Sequence, residues 1–189
     1  MLASTKKTNG RIGVVIDNGC LFRGGKERAI RASILEDDLI ECIILLPEKL
    51  FYNTGAPGAI IIFNRNKRKD LSASKTRQAG REGKVLFINA SPEYEQHPEV
   101  RKLNRLGDQH IAKIAKAYKE FNNIKGFSRA VSPEEIKNND YNLNVTLYVF
   151  PEEEVEEIDI EKEWKDLGKI QNEIAVIEKK IEGYLEKIG

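Results

Sequence analysis

Cysteine, histidine and long apolar runs are all scarce in this sequence, and each shortage closes off a class of function. The two cysteines, Cys20 and Cys42, lie in no CxxC pair and beside no histidine. A disulfide framework and a thiolate zinc site are therefore excluded, and a reducing, cytoplasmic setting is expected. The two histidines, His97 and His110, have no ligand-type neighbour at metal spacing and read as surface residues. The longest apolar run, 42–47, is far too short to cross a bilayer, and the polar start MLASTKKTNGR has no signal core, so no membrane contact is expected. An excess of one charge is missing as well: 31 Lys and Arg stand against 30 Asp and Glu, so the whole chain exerts no strong field on nucleic acid. No GxSxG and no Cys/His nucleophile arrangement occurs. Gly24-Gly25-Lys26 imitates the end of a phosphate loop, but Cys20 and Glu27 stand where such a loop needs glycine and a hydroxyl. No catalytic residue and no metal site is assigned.

What is present is a run of short apolar segments in an α/β order. RIGVVI at 11–16 reads as a buried strand before the turn Asp17-Asn18-Gly19, residues 26–37 as a helix, and LIECIILL at 39–46 as a second buried strand. Strand, helix and strand at this spacing predict a crossover with the two strands parallel. AIIIFN at 59–64 follows after a loop too short for a crossover helix, so it should run antiparallel to the second strand. KVLFINA at 84–90 is a further strand. A helix at about 107–121 carries Ile111, Ile114, Ala115 and Tyr118 on one face, and Ser132-Pro-Glu-Glu opens a short capped helix. Residues 141–150 alternate weakly, as an edge strand or extended tail would.

Charge is concentrated in two places. Between Arg65 and Lys84 there are eight basic residues and two acidic ones with no apolar period, the pattern of a mobile loop. Acidic residues crowd 152–161, after which a helix runs to the end. Along it Leu167, Ile170, Ile174, Ile177, Ile181, Tyr184 and Ile188 recur at alternating steps of three and four. That is a heptad seam, which one helix cannot bury by itself. The expected organisation is an α/β sheet region at 1–91 with the basic loop 65–84, an α-rich extension at 92–150, and an acidic linker with the heptad helix at 151–189.

Four segments carry a resemblance to a known family: GRIGVVIDNGCLFRGG at 10–25, LIECIILLPEKLFYNTGAPGAIIIFNRNK at 39–67, KVLFINAS at 84–91 and YNLNVTLYV at 141–149. In this order they resemble the second half of the modification subunit of type I restriction-modification systems, the N6-adenine DNA methyltransferases. One departure is Asp17, where the family normally has proline. The resemblance implies the C-terminal half of a Rossmann-type methyltransferase mixed sheet, followed by an α-rich tail with a long C-terminal helix. It also implies an S-adenosylmethionine site in the full-length enzyme, built on a glycine-rich loop after the first strand, and an Asn-Pro-Pro-aromatic motif after the fourth. Neither motif occurs in this sequence. Strand 11–16 corresponds to the family's fifth, so the chain is expected to be a fragment or split-gene product, inactive alone and without bound S-adenosylmethionine. The isolated chain should then cover the open edge beside that strand with its N-terminal tail, its own C-terminal part or a second copy, and the missing N-terminal half of the methyltransferase is an implied partner.

Within the fragment, the resemblance assigns Phe51 to stacking on the adenine flipped out of the duplex, with packing beneath its own loop as the alternative. Tyr52 is the competing aromatic. Asn53 and Thr54 either contact the flipped nucleotide or serve the turn. Arg65, Lys67, Arg68 and Lys69 either follow phosphates of double-stranded DNA or belong to a solvated insertion. The seam 167–188 is implied to dock on the specificity subunit, with self-association or folding back on helix 107–121 as alternatives. Two functions follow from this: a C-terminal fragment of an adenine-specific DNA methyltransferase, or a non-catalytic protein- or DNA-binding module derived from one.

Overall fold

The computed structural model describes residues 4–6, 9–65, 67, 81 and 83–150, and, in the C-terminal segment, residues 164, 165, 167–171, 173, 174, 177, 178 and 181. Two compact units are present, Met1–Glu152 and Glu153–Gly189.

The first unit is built on five strands. β1 (Arg11–Asp17), β2 (Ile40–Leu45), β3 (Gly58–Asn64), β4 (Val85–Asn89) and β7 (Ser128–Val131) form one sheet in the order β1-β3-β2-β4-β7. β3 is antiparallel to both β1 and β2, so those two run parallel to each other. The crossover between them passes through α1 (Lys26–Glu36) and skips one position, which β3 fills. β4 is parallel to β2 and antiparallel to β7. The carboxyl ends of β1, β2 and β4 therefore share one edge of the sheet.

Every residue of β2 and β4 is buried, as unbroken apolar runs require of central strands. Alternate residues serve opposite faces. Ile43, Leu45 and Phe87 belong to a core completed by Leu35 of α1, Ile136 of α3 (Pro133–Asn138) and Tyr148. Cys42, Ile44, Leu86 and Ile88 belong to a second core closed by Ala117 of α2 (Asp108–Glu120) and by Phe127. Ser132 caps α3, its side chain accepting from the Glu135 N–H with Pro133 at the first turn, as expected. His97 and His110 also act locally, each Nδ1 accepting from nearby backbone N–H groups.

Three expectations need correction. Residues 141–150 form no edge strand: Tyr141, Leu143, Val145, Tyr148 and Val149 turn inward to fill the first core, around a short 3-10 turn at Val145–Leu147. Their weak alternation reflects that turn, which swings side chains inward at irregular steps. Ile111 is 53% exposed, because the packed face of α2 begins one turn later, at Ile114, and continues through Ala117, Tyr118 and Phe121. The expected α-rich extension also contributes β7 to the main sheet and a two-residue ladder, β5 (Glu95–Gln96) with β6 (Asn104–Arg105).

β1 is an edge strand, with β3 on one side and, among the described residues, no strand of the sheet on the other. Its burial alternates, and the outward Val15 is 55% exposed. Asp17 stands at φ −64°, inside the range a proline ring would impose, so the turn's φ at this position is one that proline also adopts. The turn is held instead by Arg23, whose Nη2 donates to Asp17 Oδ2 at 2.6 Å.

Candidate functional site

The loop from β2 to β3 stands on the carboxyl edge of the sheet, the edge where α/β folds of this kind place their ligands. It is closed at its base by Leu46 N–H donating to Gly58 O at 2.9 Å and higher up by Lys49 N–H donating to Gly55 O at 3.4 Å. At the tip, Thr54 N–H donates to Phe51 O at 3.4 Å, so Tyr52 and Asn53 occupy a tight turn. Thr54 Oγ1 accepts from Ala56 N–H at 3.0 Å, a local turn contact. All four residues of Phe51-Tyr52-Asn53-Thr54 are exposed, Phe51 by 37% and Tyr52 by 79%.

Phe51 is intermediate between the two roles expected for it. One part of its ring lies on Gly58, where an added Cβ would come within 2.8 Å of Phe51 Cε2. The glycine is needed there for close approach rather than for backbone freedom. Gly58 pairs with Asp17, so the ring sits where β3 meets the end of β1. The remainder of the ring faces solvent.

The basic loop departs from the opposite edge. β3 runs seven residues from Gly58 to Asn64, a rise of ~20 Å at 3.4 Å per step. Phe51, Asn53 and Thr54 are thus at one end of β3 and Arg65 and Lys67 at the other. Lys67 is not presented to solvent: its side chain is 1% exposed, and Nζ lies 2.7 Å from Asp38 Oδ1 and 2.7 Å from Ile40 O. Asp38 also accepts from Gly83 N–H at 3.2 Å. Arg81 is buried likewise, donating to Glu41 Oε1 at 3.0 Å and to Lys119 O at 2.6 Å, over the rings of Tyr118 and Phe121. Tyr118 OH donates to the second Glu41 oxygen at 2.8 Å; burial, then the Glu41 carboxylate, pushes that phenol's pKa up. Arg68 and Lys69 lie outside the described residues.

Sequence reasoning missed Glu41, the one fully buried acid among the described residues. The signal was available, since a carboxylate inside LIECIILL demands a cation from elsewhere in the chain. In the second unit the described residues are helical, and Leu167, Ile170, Ile174, Ile177 and Ile181 are each about half exposed, with Trp164 at 74%. Tyr184 and Ile188 lie outside the described residues.

Each loop on the carboxyl edge is occupied by side chains of its own. The turn after β1 is filled by the Asp17–Arg23 pair, with the Arg23 guanidinium 2.4 Å from where a Gly19 Cβ would be. The loop after β2 is filled by Phe51, and the turn after β4 by Asn89, whose side chain accepts from both Ser91 N–H and Ser91 Oγ. None is an open glycine-rich cradle. Among the described residues no cluster of three or more candidate metal ligands occurs, and no helix is long and apolar enough to cross a membrane.

Comparison with known proteins agrees with this architecture. The family model described as N-6 DNA Methylase matches residues 1–157. The type I restriction enzyme MjaVIII methylase subunit of Methanocaldococcus jannaschii is 52% identical over 182 residues, covering 96% of this chain and 30% of that protein. The crystal structure of the type I restriction-modification methyltransferase subunit from Streptococcus thermophilus superposes with a TM-score of 0.64 at 38% identity, over 76% of this chain and 27% of that one. A structure described as showing complex assembly and conformational transition of a type I restriction-modification system shares the fold at 21% identity, with a TM-score of 0.54 over 95% of this chain and 36% of that one. The chain thus spans about 30% of the length of the MjaVIII subunit. On the match over residues 1–157 and the identity to that methylase subunit, the chain belongs to the N-6 DNA methylase family.

Proposed function

We propose that this chain is the C-terminal part of an adenine-specific DNA methylase subunit of a type I restriction-modification system, in which it holds the flipped target base. The whole enzyme transfers a methyl group from S-adenosylmethionine to adenine N6. The cofactor loop and the Asn-Pro-Pro-aromatic motif belong to the N-terminal part that this sequence does not contain. The observation that carries the reading is the position of Phe51: a partly exposed aromatic on the carboxyl edge, on Gly58 where β3 meets the end of β1. A base turned out of its stack loses a few kcal/mol, of which an aromatic face recovers ~1–3. The free edge of β1 and the outward Val15 are where the N-terminal part joins, because an unpaired apolar edge strand is otherwise an aggregation hazard.

A chimaera tests this reading: the MjaVIII methylase subunit with its matching C-terminal portion replaced by this chain. The chimaera, with its specificity subunit, methylates duplex DNA at adenine N6, while the isolated chain shows no saturable S-adenosylmethionine binding by calorimetry. A folded chimaera without methylation sinks the proposal, as does micromolar cofactor binding by the chain alone.

A second reading, a non-catalytic binding module, is favoured by one observation: the apolar seam Leu167, Ile170, Ile174, Ile177 and Ile181, each about half exposed. The two readings share a partner, since in either case the seam docks on helices of a specificity subunit. They differ in whether the chimaera turns over.

A further inference from the structure

The loop carrying Phe51 is braced from outside by a hairpin that no functional assignment uses. Asn104 on β6 holds two consecutive carbonyls at the loop's entry: its backbone N–H donates to Lys49 O at 2.9 Å, and its side-chain amide donates to Glu48 O at 2.9 Å. Lys49 is in the left-handed region at φ 57°, a conformation a lysine keeps only when its surroundings impose it. Lys49 is also the residue whose N–H closes the loop onto Gly55. One residue of the hairpin thus fixes the strained residue that shapes the loop two positions before Phe51.

The brace is itself tied down. A ladder of two residues per strand has little stability by itself. Here it is closed by His97 N–H donating to Leu103 O at 2.9 Å, with Leu103 buried. Glu95 takes Arg105 at 2.7 Å and rests on Gly107, the cap of α2, where a Cβ would lie 2.9 Å from the carboxylate. A continuous set of contacts therefore runs from α2 through the hairpin to Lys49.

We infer that the β5–β6 hairpin positions the target-base loop and that Asn104 is the positioning residue for Phe51. This rests on the role of Phe51 proposed above. In the chain itself, Asn104→Ala removes the amide contact with Glu48 and keeps the backbone one. Amide exchange at Lys49 and Thr54 then speeds up by about threefold to tenfold, the worth of one ordinary hydrogen bond. Exchange at Leu46, at the loop base, stays as it was. Asn104→Asp, which keeps the size but turns an oxygen toward the carbonyl, does the same and serves if the alanine variant folds poorly. Unchanged exchange at Lys49 and Thr54 overturns the inference. In the chimaera, Asn104→Ala lowers kcat by a similar factor with little change in KM for duplex. Adding it to Phe51→Ala costs nothing further, because it acts through Phe51. Losses that multiply overturn the inference, whereas a Phe51→Ala chimaera at full rate overturns the reading of Phe51 beneath it.

Discussion

The two ends of β3 are built on opposite principles. At its amino end stands a loop of exposed residues, Phe51 to Thr54, held by backbone contacts as long as 3.4 Å. At its carboxyl end, charged side chains are buried in ion pairs, Lys67 with Asp38 and Arg81 with Glu41. Both ends read as polar in the sequence, yet one leaves its groups exposed and the other uses them to hold the sheet. A cluster of basic residues is thus not a surface of positive charge until its buried members are subtracted.

The contrast can be broken from the charged end first. Glu41→Ala leaves Arg81 buried without its carboxylate, and removing one member of a buried pair costs about 3–5 kcal/mol. For a unit of this size that is a fall in melting temperature of order 10 °C, read by calorimetry. A fall under ~3 °C would mean that the Glu41–Arg81 pair is not structural. Gly58→Ala comes next. The new methyl collides with the Phe51 ring, so about 1–3 kcal/mol is lost or the ring is displaced, and loop fluorescence or NMR of the aromatic protons separates the two. Phe51→Ala should cost about 1 kcal/mol of stability, since the ring is only partly covered. The smallest effect on the chain's own stability belongs to Ile174→Lys with Ile181→Lys, within ~0.5 kcal/mol if the seam serves only a partner; the same pair abolishes assembly with a specificity subunit. Unfolding of the monomer by these two changes would return the seam to the internal core.

Much of the sheet was legible because its signals are local. The apolar runs at 11–16, 39–46, 59–64 and 84–90 match β1 to β4, and the short loop before 59 required the antiparallel turn of β3. Ser132-Pro133 announced α3 through its cap. What stayed hidden is non-local. β7 is four residues, Ser128 to Val131, with half-buried Arg129 and Ala130 between its buried ends, so neither strand period is displayed. The partners of Lys67 and Arg81 are 29 and 40 residues away, which no window along the chain connects. At the candidate site, Phe51 was reached through a family pattern; its seat on Gly58 and its brace at Asn104, more than fifty residues on, are properties of the folded chain.

The central claim is that Phe51 faces a flipped adenine, and the rate of N6 methylation by the chimaera with Phe51 changed to alanine or to tryptophan tests it most directly. Stacking worth ~1–3 kcal/mol predicts a loss of about tenfold to a hundredfold for alanine and recovery of most of the rate for tryptophan, with the melting temperature nearly unchanged in both. An alanine variant that methylates at the full rate would contradict the account.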